Sequence, residues 1–99
     1  MANRKIILIT TKGCVGCRIQ RENIEKAIIN SKINIGFEVI DFDTLTKKEI
    51  IEYRNKRVFL KDFPTTIFMV DNVITFKMTG STPTICITRY IDLYIKKKC

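Results

Sequence analysis

The apolar positions near the N-terminus change from a continuous run to a helical period. Ile6 to Thr10 is a short apolar run rich in β-branched residues, which is typical of a strand buried on both faces. Thr11 to Gly13 interrupts it, and a helical pattern then starts at Cys14 or Val15 and ends near Asn30-Ser31. The apolar face of this predicted helix consists of Cys17, Ile24, Ala27 and Ile28.

The middle of the chain predicts a second strand and a second helix. Phe37 to Phe42 alternates enough to form a strand that ends at Asp43. Thr46-Lys47-Lys48-Glu49 fits a capping box, so we expect a helix from there to about Arg57. Val58 to Phe63 is then a connection. The side chains that this helix would bury are Ile50, Ile51 or Tyr53.

The segment after Pro64 predicts a hairpin. Thr65 to Val70 forms a third strand, Asp71-Asn72 suits a two-residue turn, and Val73 to Met78 returns as a fourth strand. Strict alternation would place three side chains of the fourth strand on one face, namely Ile74, Phe76 and Met78.

A last helix follows the break at Thr79-Gly80-Ser81. Thr82 can cap it, with Pro83 at the first helical position, where a missing N–H costs nothing. The helix runs out in Lys96-Lys97-Lys98, which is favourable at the negative end of the helix dipole. Its apolar positions are Ile87, Tyr90, Ile91 and Tyr94.

The predicted order is β-α-β-α-β-β-α, an α/β fold with a four-stranded mixed sheet and three helices. The first two strands, joined by a helix, should be parallel, and the last two antiparallel. The 99 residues, of which 45% are hydrophobic, suffice for a single domain over 1–99.

The apolar runs are too short for a membrane span or a secretory signal. The first covers only Ile6 to Ile9, whereas a signal peptide needs roughly 7–15 apolar residues. No stretch approaches the ~18 residues of a transmembrane helix. We therefore expect a cytoplasmic protein without a membrane partner.

The net charge of +8 changes the expected surface more than the expected fold. The basic residues are dispersed, with small clusters at Arg54-Asn55-Lys56-Arg57 and at Lys96 to Lys98. No aromatic platform alternates with them, so we favour a solvated basic surface and a monomer over a nucleic-acid partner. An acidic protein partner stays possible.

The candidate chemistry lies at Cys14-Val15-Gly16-Cys17, where the first strand passes into the first helix. Cys14 lies at or just before the first turn, where unpaired N–H groups and the helix dipole should stabilise a thiolate and lower its pKa. Cys17, three residues on, returns to the same side of the helix, within disulfide reach. This position predicts that Cys14 attacks a disulfide and that the shielded Cys17 resolves the mixed disulfide.

The same pair could instead be half of a zinc site. Zinc would need two more ligands, the chain has no histidine, and the spacing of Cys86 and Cys99 matches no zinc motif. We therefore expect no metal. Cys86 is interpreted as a small buried residue of the last helix, and Cys99 as an exposed terminal thiol next to lysines.

The buried strand, the Cys-x-x-Cys at a helix start and the later Phe63-Pro64-Thr65 resemble the thioredoxin and glutaredoxin superfamily. The resemblance covers the whole chain in element order and implies a minimal thioredoxin-like fold. It implies that Pro64 is cis and lies against the cysteines, and that Gly80 is the family's glycine after the last strand. Residues expected to contact a substrate are Phe63, Pro64, Gly13 and Val15.

By this resemblance the protein is a thiol–disulfide oxidoreductase acting on protein disulfides. Its Cys14–Cys17 disulfide would be redox-active without a bound cofactor, and its electron donor would be a thioredoxin-reductase-type enzyme or glutathione. The chain departs from the family pattern at Gly13, where thioredoxins have tryptophan, and at Val15-Gly16. The buried acid of thioredoxins corresponds to Leu8, and its lysine partner falls near Val39. These departures leave open the alternative of a non-catalytic binding module.

Lys12 and Arg18 flank the cysteines. They are either ordinary surface charges or groups that lower the pKa of Cys14 and attract an acidic partner or a glutathione carboxylate.

Overall fold

Strand β1 (Arg4–Thr10) lies inside the sheet, which explains the continuous apolar run near the N-terminus. In the computed structural model, which describes residues 3–96, Ile6 and Leu8 pack on one face of the sheet. Ile7 and Ile9 pack on the other, and all four side chains are buried. A strand covered on both faces cannot alternate apolar with polar residues, because both of its sides lie in a core.

The sheet has the order β2-β1-β3-β4, with β2 at Gly36–Asp41, β3 at Thr65–Val70 and β4 at Val73–Thr79. β1 pairs with β2 in parallel, whereas the β1–β3 and β3–β4 pairs are antiparallel. The predicted four-stranded mixed sheet is therefore confirmed.

Three α-helices cover the sheet, as predicted: α1 (Val15–Ser31), α2 (Lys47–Asn55) and α3 (Thr84–Tyr94). α1 and α3 pack on the face that carries Leu8, and Tyr53 of α2 packs on the opposite face. The element order β-α-β-α-β-β-α is the predicted one, apart from a short 3₁₀ helix after β2. None of the helices within residues 3–96 has the length and apolarity that a membrane crossing requires.

The second strand ends earlier than the sequence predicted. We expected Phe42 to belong to it, but β2 ends at Asp41, and Phe42–Thr44 forms the 3₁₀ helix. The reason is local. The Asp41 carboxylate accepts a hydrogen bond from the Asp43 N–H at 2.9 Å, and the backbone carbonyl of Asp41 accepts one from the Thr44 hydroxyl. Such short-range bonds of aspartate and threonine compete with a strand ladder.

A β-bulge in β4 makes one face assignment wrong. The pairing passes from Phe68↔Phe76 to Met69↔Ile74, which leaves Thr75 as an extra residue. An extra residue reverses the alternation beyond it. Ile74 therefore packs on the α2 face, while Phe76 and Met78 pack against α1 and α3. The turn itself is as predicted, since Asp71 and Asn72 both have positive φ, which a two-residue hairpin requires.

The last helix begins at Thr84, one residue later than predicted. Pro83 is the N-cap rather than the first helical residue, and it supplies no side-chain cap. The Thr82 hydroxyl, which was expected to cap the helix, donates instead to the Met78 sulfur at 3.4 Å, and the Thr82 N–H donates to the Gln20 amide oxygen at 2.6 Å. At the other end, Lys96 pairs with Asp92 at 3.1 Å, and Lys97 and Lys98 lie outside the described residues.

Helix α2 ends at Asn55, two residues before the predicted end, in a Schellman-type turn. The Val58 N–H donates to the Tyr53 carbonyl, and the Arg57 N–H donates to the Arg54 carbonyl, both at 2.9 Å. This geometry places Arg57 in the left-handed region, with φ of 64°. Glycine is the usual residue there, and a larger L-residue costs roughly 1 kcal/mol more.

The predicted capping box of α2 is confirmed. The Thr46 hydroxyl accepts from the Glu49 N–H at 3.2 Å, and the Glu49 carboxylate accepts from the Thr46 N–H at 3.0 Å. The hydrogen bonds from the backbone and side chain of Thr46 hold the pKa of Glu49 below its ordinary value of 4.5. Ile50 and Tyr53 are half-buried, whereas Ile51 is exposed, so the cap contributes much of what specifies this short helix.

Thr46→Ala should lower the free energy of unfolding by about 1 kcal/mol at neutral pH, because the Glu49 N–H loses the hydroxyl that caps it and the Glu49 carboxylate loses one of its two hydrogen bonds from Thr46. A carboxylate with a lowered folded-state pKa stabilises the protein above its ordinary pKa, and that contribution is lost as the pH falls through the lowered value. The difference from wild type should therefore shrink in acid. Urea unfolding across pH measures it, with Lys48→Ala as the control in the same helix. Equal effects of the two variants would contradict the assignment.

Candidate functional site

Cys14 is the N-cap residue of α1. Its backbone is extended, and its Sγ accepts a hydrogen bond from the Cys17 N–H at 3.0 Å. The sequence placed Cys14 at or just before the first turn, and this position is confirmed. A sulfur at this point receives an otherwise unpaired helix N–H and lies at the positive end of the helix dipole, so both effects favour the thiolate over the thiol.

Cys14 and Cys17 form a disulfide, with their Cα atoms 5.3 Å apart. The two residues differ in exposure, because Cys14 is half-buried and Cys17 is buried. Cys17 belongs to the buried face of α1, together with Ile24 and Ala27. An external thiol or disulfide can therefore approach the Cys14 sulfur, while Cys17 is shielded.

Pro64 lies against the Cys-x-x-Cys segment, and the peptide bond between Phe63 and Pro64 is cis, as the resemblance implied. A Cβ placed on Gly16 would lie 3.5 Å from Pro64 Cδ, which puts the segment between the cysteines in contact with the proline. Pro64 is buried, and its carbonyl accepts a hydrogen bond from the Gly80 N–H at 2.8 Å. Gly80 has a φ of +82°, a conformation that glycine adopts without strain.

The other expected substrate contacts differ in exposure. Val15 is 74% exposed, and Gly13 is exposed in a turn with a φ of +70°. Phe63 is half-buried, and its ring lies 5.1 Å from that of Phe42. The 3₁₀ helix that replaces the end of the predicted β2 therefore supports the residue before the cis-proline.

The two cations that flank the cysteines are both exposed. Arg18 is 4.0 Å from Glu22 one helical turn on, at the limit of an ion pair, and the two side chains are 87% and 60% exposed. Such an exposed pair contributes little to stability. Lys12 lies in the turn before Cys14. Both cations are therefore accessible to an anionic group that approaches the cysteines.

Gln20 lies near the site, and the sequence analysis did not identify it. It is completely buried, and its amide N–H₂ donates to the Thr66 hydroxyl at 3.0 Å. Its amide oxygen accepts from the Thr82 N–H at 2.6 Å, so Gln20 joins α1 to β3 and to the segment before α3. The sequence contained a sign that Gln20 is buried, because Gln20 lies three residues after Cys17 and four before Ile24, on the apolar face of α1.

The remaining cysteines do not join the site in the described part of the chain. Cys86 is a free, half-buried thiol in α3, and Cys99 lies outside the described residues. Within residues 3–96, the structure brings no three metal-ligating side chains together. Within residues 3–96, the disulfide-bonded cysteines are Cys14 and Cys17.

Gln20→Leu should lower the free energy of unfolding by about 2–3 kcal/mol, because the Thr66 hydroxyl and the Thr82 N–H lose their partner. Thr66→Val should also destabilise the protein. The double variant should lose less than the sum, since it removes both ends of the Gln20–Thr66 bond. Denaturant unfolding of the oxidised proteins measures this cycle. Strict additivity would show that the two side chains act independently.

Comparison with known proteins adds structural likeness but no sequence likeness. No protein-family model matches the chain, and no curated protein sequence matches it. Among solved structures, a thioredoxin-2 described as a component of malaria parasite protein secretion machinery is 15% identical, with a TM-score of 0.73 over 93% of this chain and 84% of that chain.

Two further thioredoxins are similar to the same extent. Chloroplastic thioredoxin z is 14% identical, with a TM-score of 0.72 over 93% of this chain and 78% of its own. A reduced Schistosoma mansoni thioredoxin is 15% identical, with a TM-score of 0.71 over 94% and 80%. At these identities the likeness establishes the fold. The chain is thus thioredoxin-like, with the thioredoxin fold and a Cys-x-x-Cys disulfide at the start of its first helix.

Proposed function

We propose that this protein is a thiol–disulfide oxidoreductase that exchanges electrons with protein disulfides through Cys14 and Cys17. The observation that carries the proposal is the disulfide at the N-terminus of α1, with the accessible sulfur on Cys14 and the shielded one on Cys17. This arrangement separates an attacking thiol from a resolving thiol, which is the division that dithiol exchange needs.

In the first step the reduced Cys14, as a thiolate, attacks one sulfur of the substrate disulfide. A Cys14–substrate disulfide forms, the substrate S–S bond breaks, and the second substrate sulfur leaves as a thiolate. The Cys17 N–H and the free N–H groups of the first turn stabilise the Cys14 thiolate before the attack. No cofactor is required, because the electron pair comes from the cysteine itself.

In the second step Cys17 attacks the Cys14 sulfur of the mixed disulfide. The Cys14–Cys17 bond forms, and the substrate leaves with the electron pair of the broken bond as a reduced thiol. Among the described residues, the buried polar side chains are Gln20, Ser31, Thr65 and Thr66, none of which is a base at neutral pH. The proton of Cys17 therefore passes to solvent or to the departing thiolate.

Phe63 and Pro64 would contact the substrate chain, with Gly13 and Val15 beside the reacting sulfur. The contact between Gly16 and Pro64 supports this arrangement, because it brings the segment before β3 next to the cysteines. Exposed Val15 offers an apolar contact next to Cys14. A substrate that lies across Phe63 and Pro64 would present its disulfide to the accessible sulfur.

We propose a cytoplasmic monomer that is reduced again by a thioredoxin-reductase-type enzyme or by glutathione. A reducing compartment keeps a dithiol of this kind available for turnover. Activity assays identify the donor and the substrates, because the residues next to the cysteines match neither the thioredoxin nor the glutaredoxin pattern.

A non-catalytic binding module on the same scaffold is the second candidate. It is favoured by Leu8, which is completely buried where thioredoxins have an acid, and by the +8 charge. In that case the disulfide would stabilise the fold, and the function would survive without either sulfur.

The reduced wild-type protein should reduce insulin disulfides faster than an equal concentration of free dithiothreitol, and Cys14→Ser should abolish that excess. Cys17→Ser should accumulate a mixed disulfide at Cys14, because the resolving thiol is gone. Turbidity and non-reducing gels with mass mapping measure these outcomes, with Cys86→Ser as the control that keeps activity. A wild-type rate no higher than that of dithiothreitol would overturn the proposal. Partner binding that survives Cys14→Ser with Cys17→Ser would support the binding module.

The alkylation rate of Cys14 by iodoacetamide in the reduced protein should be half-maximal below about pH 8.5, the value for an unperturbed thiol. The cause is the helix N–H aimed at its sulfur. Mass spectrometry of the Cys14 peptide measures the profile, and the same peptide in concentrated urea is the control. Identical profiles in the folded and unfolded protein would show that the cap has no effect on the thiol.

A further inference from the structure

A groove of about 290 Å³ lies on the α2 side of the molecule, between the connection after α2 and the end of β4. Buried Val58 and the 57% exposed ring of Phe59 contribute apolar surface. The charged residues that line it are Arg57, Lys61, Asp62 and Lys77. The groove thus combines apolar surface with an excess of positive charge.

This groove begins next to the cis-proline segment, which itself lies close to the cysteines. Asp62 and Thr65 line the groove and flank Phe63 and Pro64, and a Cβ placed on Gly16 would lie 3.5 Å from Pro64 Cδ. The Thr65 hydroxyl donates to the Asp62 carbonyl at 2.7 Å, which holds the segment between them in a tight turn. A polypeptide that crosses Pro64 to reach Cys14 would therefore extend into the groove.

The three cations of the groove take part in none of the four ion pairs within residues 3–96. Asp62 also lines the groove, so three positive charges stand against one negative charge there. Lys77 donates from its ammonium to the Arg57 carbonyl, which links β4 to the turn after α2. An ammonium has three N–H donors, so this contact leaves donors for a ligand.

Arg57 occupies a position whose backbone favours glycine. It is the left-handed residue of the turn that ends α2, with a φ of 64°. The main-chain bonds of that turn need no side chain at this position. Arg57 therefore keeps a guanidinium at the groove although glycine would suit its backbone better, and a guanidinium can bind a carboxylate through two parallel N–H donors.

We propose that this groove binds an acidic segment adjoining the disulfide of a protein substrate. The inference rests on the proposed oxidoreductase function and names its substrate class: polypeptides with aspartate or glutamate a few residues from the reactive cysteine. Arg57 and Lys61 bind the carboxylates, while Val58 and Phe59 contact the apolar side chains between them. The groove is a specificity site, and Cys14 remains the attacking group.

Two synthetic peptides test the inference. Each carries one cysteine as a mixed disulfide with thionitrobenzoate, and they differ only in three aspartates near the cysteine that are asparagines in the second peptide. Attack by Cys14 on the peptide sulfur forms the Cys14–peptide disulfide and releases coloured thionitrobenzoate with the electron pair of the broken bond. Stopped-flow absorbance then gives the rate constant for each peptide with the reduced full-length protein.

We expect the acidic peptide to react about five to ten times faster at low salt, with a ratio that falls as added salt screens the exposed charges. Arg57→Gly should reduce this ratio about threefold. Its thermal midpoint should equal or exceed that of wild type, because glycine suits the left-handed backbone. Adding Lys61→Gln to Arg57→Gly should reduce the ratio of the two rates further. A merely structural role of Arg57 would instead lower stability and slow both peptides alike.

Lys32→Gly is the matched control. Lys32 is also a basic residue with positive φ at the end of a helix, but it follows the C-terminus of α1, about 25 Å along the helix axis from Cys14. This variant makes the same change of charge and backbone and should leave the ratio of the two rates unchanged.

The outcomes separate the two proposals. No release of thionitrobenzoate above the rate of free dithiol, with either peptide, overturns the oxidoreductase function. Equal rates for the two peptides, or equal losses in Arg57→Gly and Lys32→Gly, overturn the acidic docking site while leaving exchange intact.

Discussion

The burial of β1 on both faces is the constraint on which the rest of the structure depends. Because Ile6 to Ile9 are buried, the strand must lie inside the sheet, with helices on both sides. Its antiparallel register with β3, which pairs Ile9 with Thr65, sets the end of β1 beside the start of β3. The turn after β1 leads to Cys14 and the residue before β3 is Pro64, so one register brings both parts of the site together.

A second, smaller constraint holds the site in shape. Gln20 ties α1 to Thr66 of β3 and to Thr82, the residue before Pro83. Thr66 pairs with Leu8 across the sheet, so a neutral polar pair lies next to the position that corresponds to the buried acid of thioredoxins. A buried neutral pair with both partners satisfied orders its surroundings without placing a charge in the core. The core beside Leu8 therefore holds a neutral polar pair.

In the proposed function, the groups that stabilise the Cys14 sulfur differ from the charged side chains that contact the partner. The Cys14 sulfur accepts a hydrogen bond from a backbone N–H at the start of α1, so a thiolate there needs no buried cation for its stabilisation. The cations instead surround the approach to it, at Lys12 and Arg18 on one side and in the groove with Arg57 on the other. In the proposed function, the Cys17 N–H acts on the Cys14 sulfur, and exposed side chains contact the partner.

The sequence by itself determined the element order, the buried first strand, the capping box at Thr46 and the helix-start position of Cys14, because each depends on residues close together in the chain. The resemblance then anticipated the cis peptide bond at Pro64. Tertiary structure decided the rest. The bulge at Thr75 turned Ile74 to the other face of the sheet. Thr82 contacts Gln20 instead of capping α3. The groove beside Arg57 brings together residues about twenty positions apart in the chain. These features depend on pairing register and on partners distant in sequence, which local periodicity does not encode.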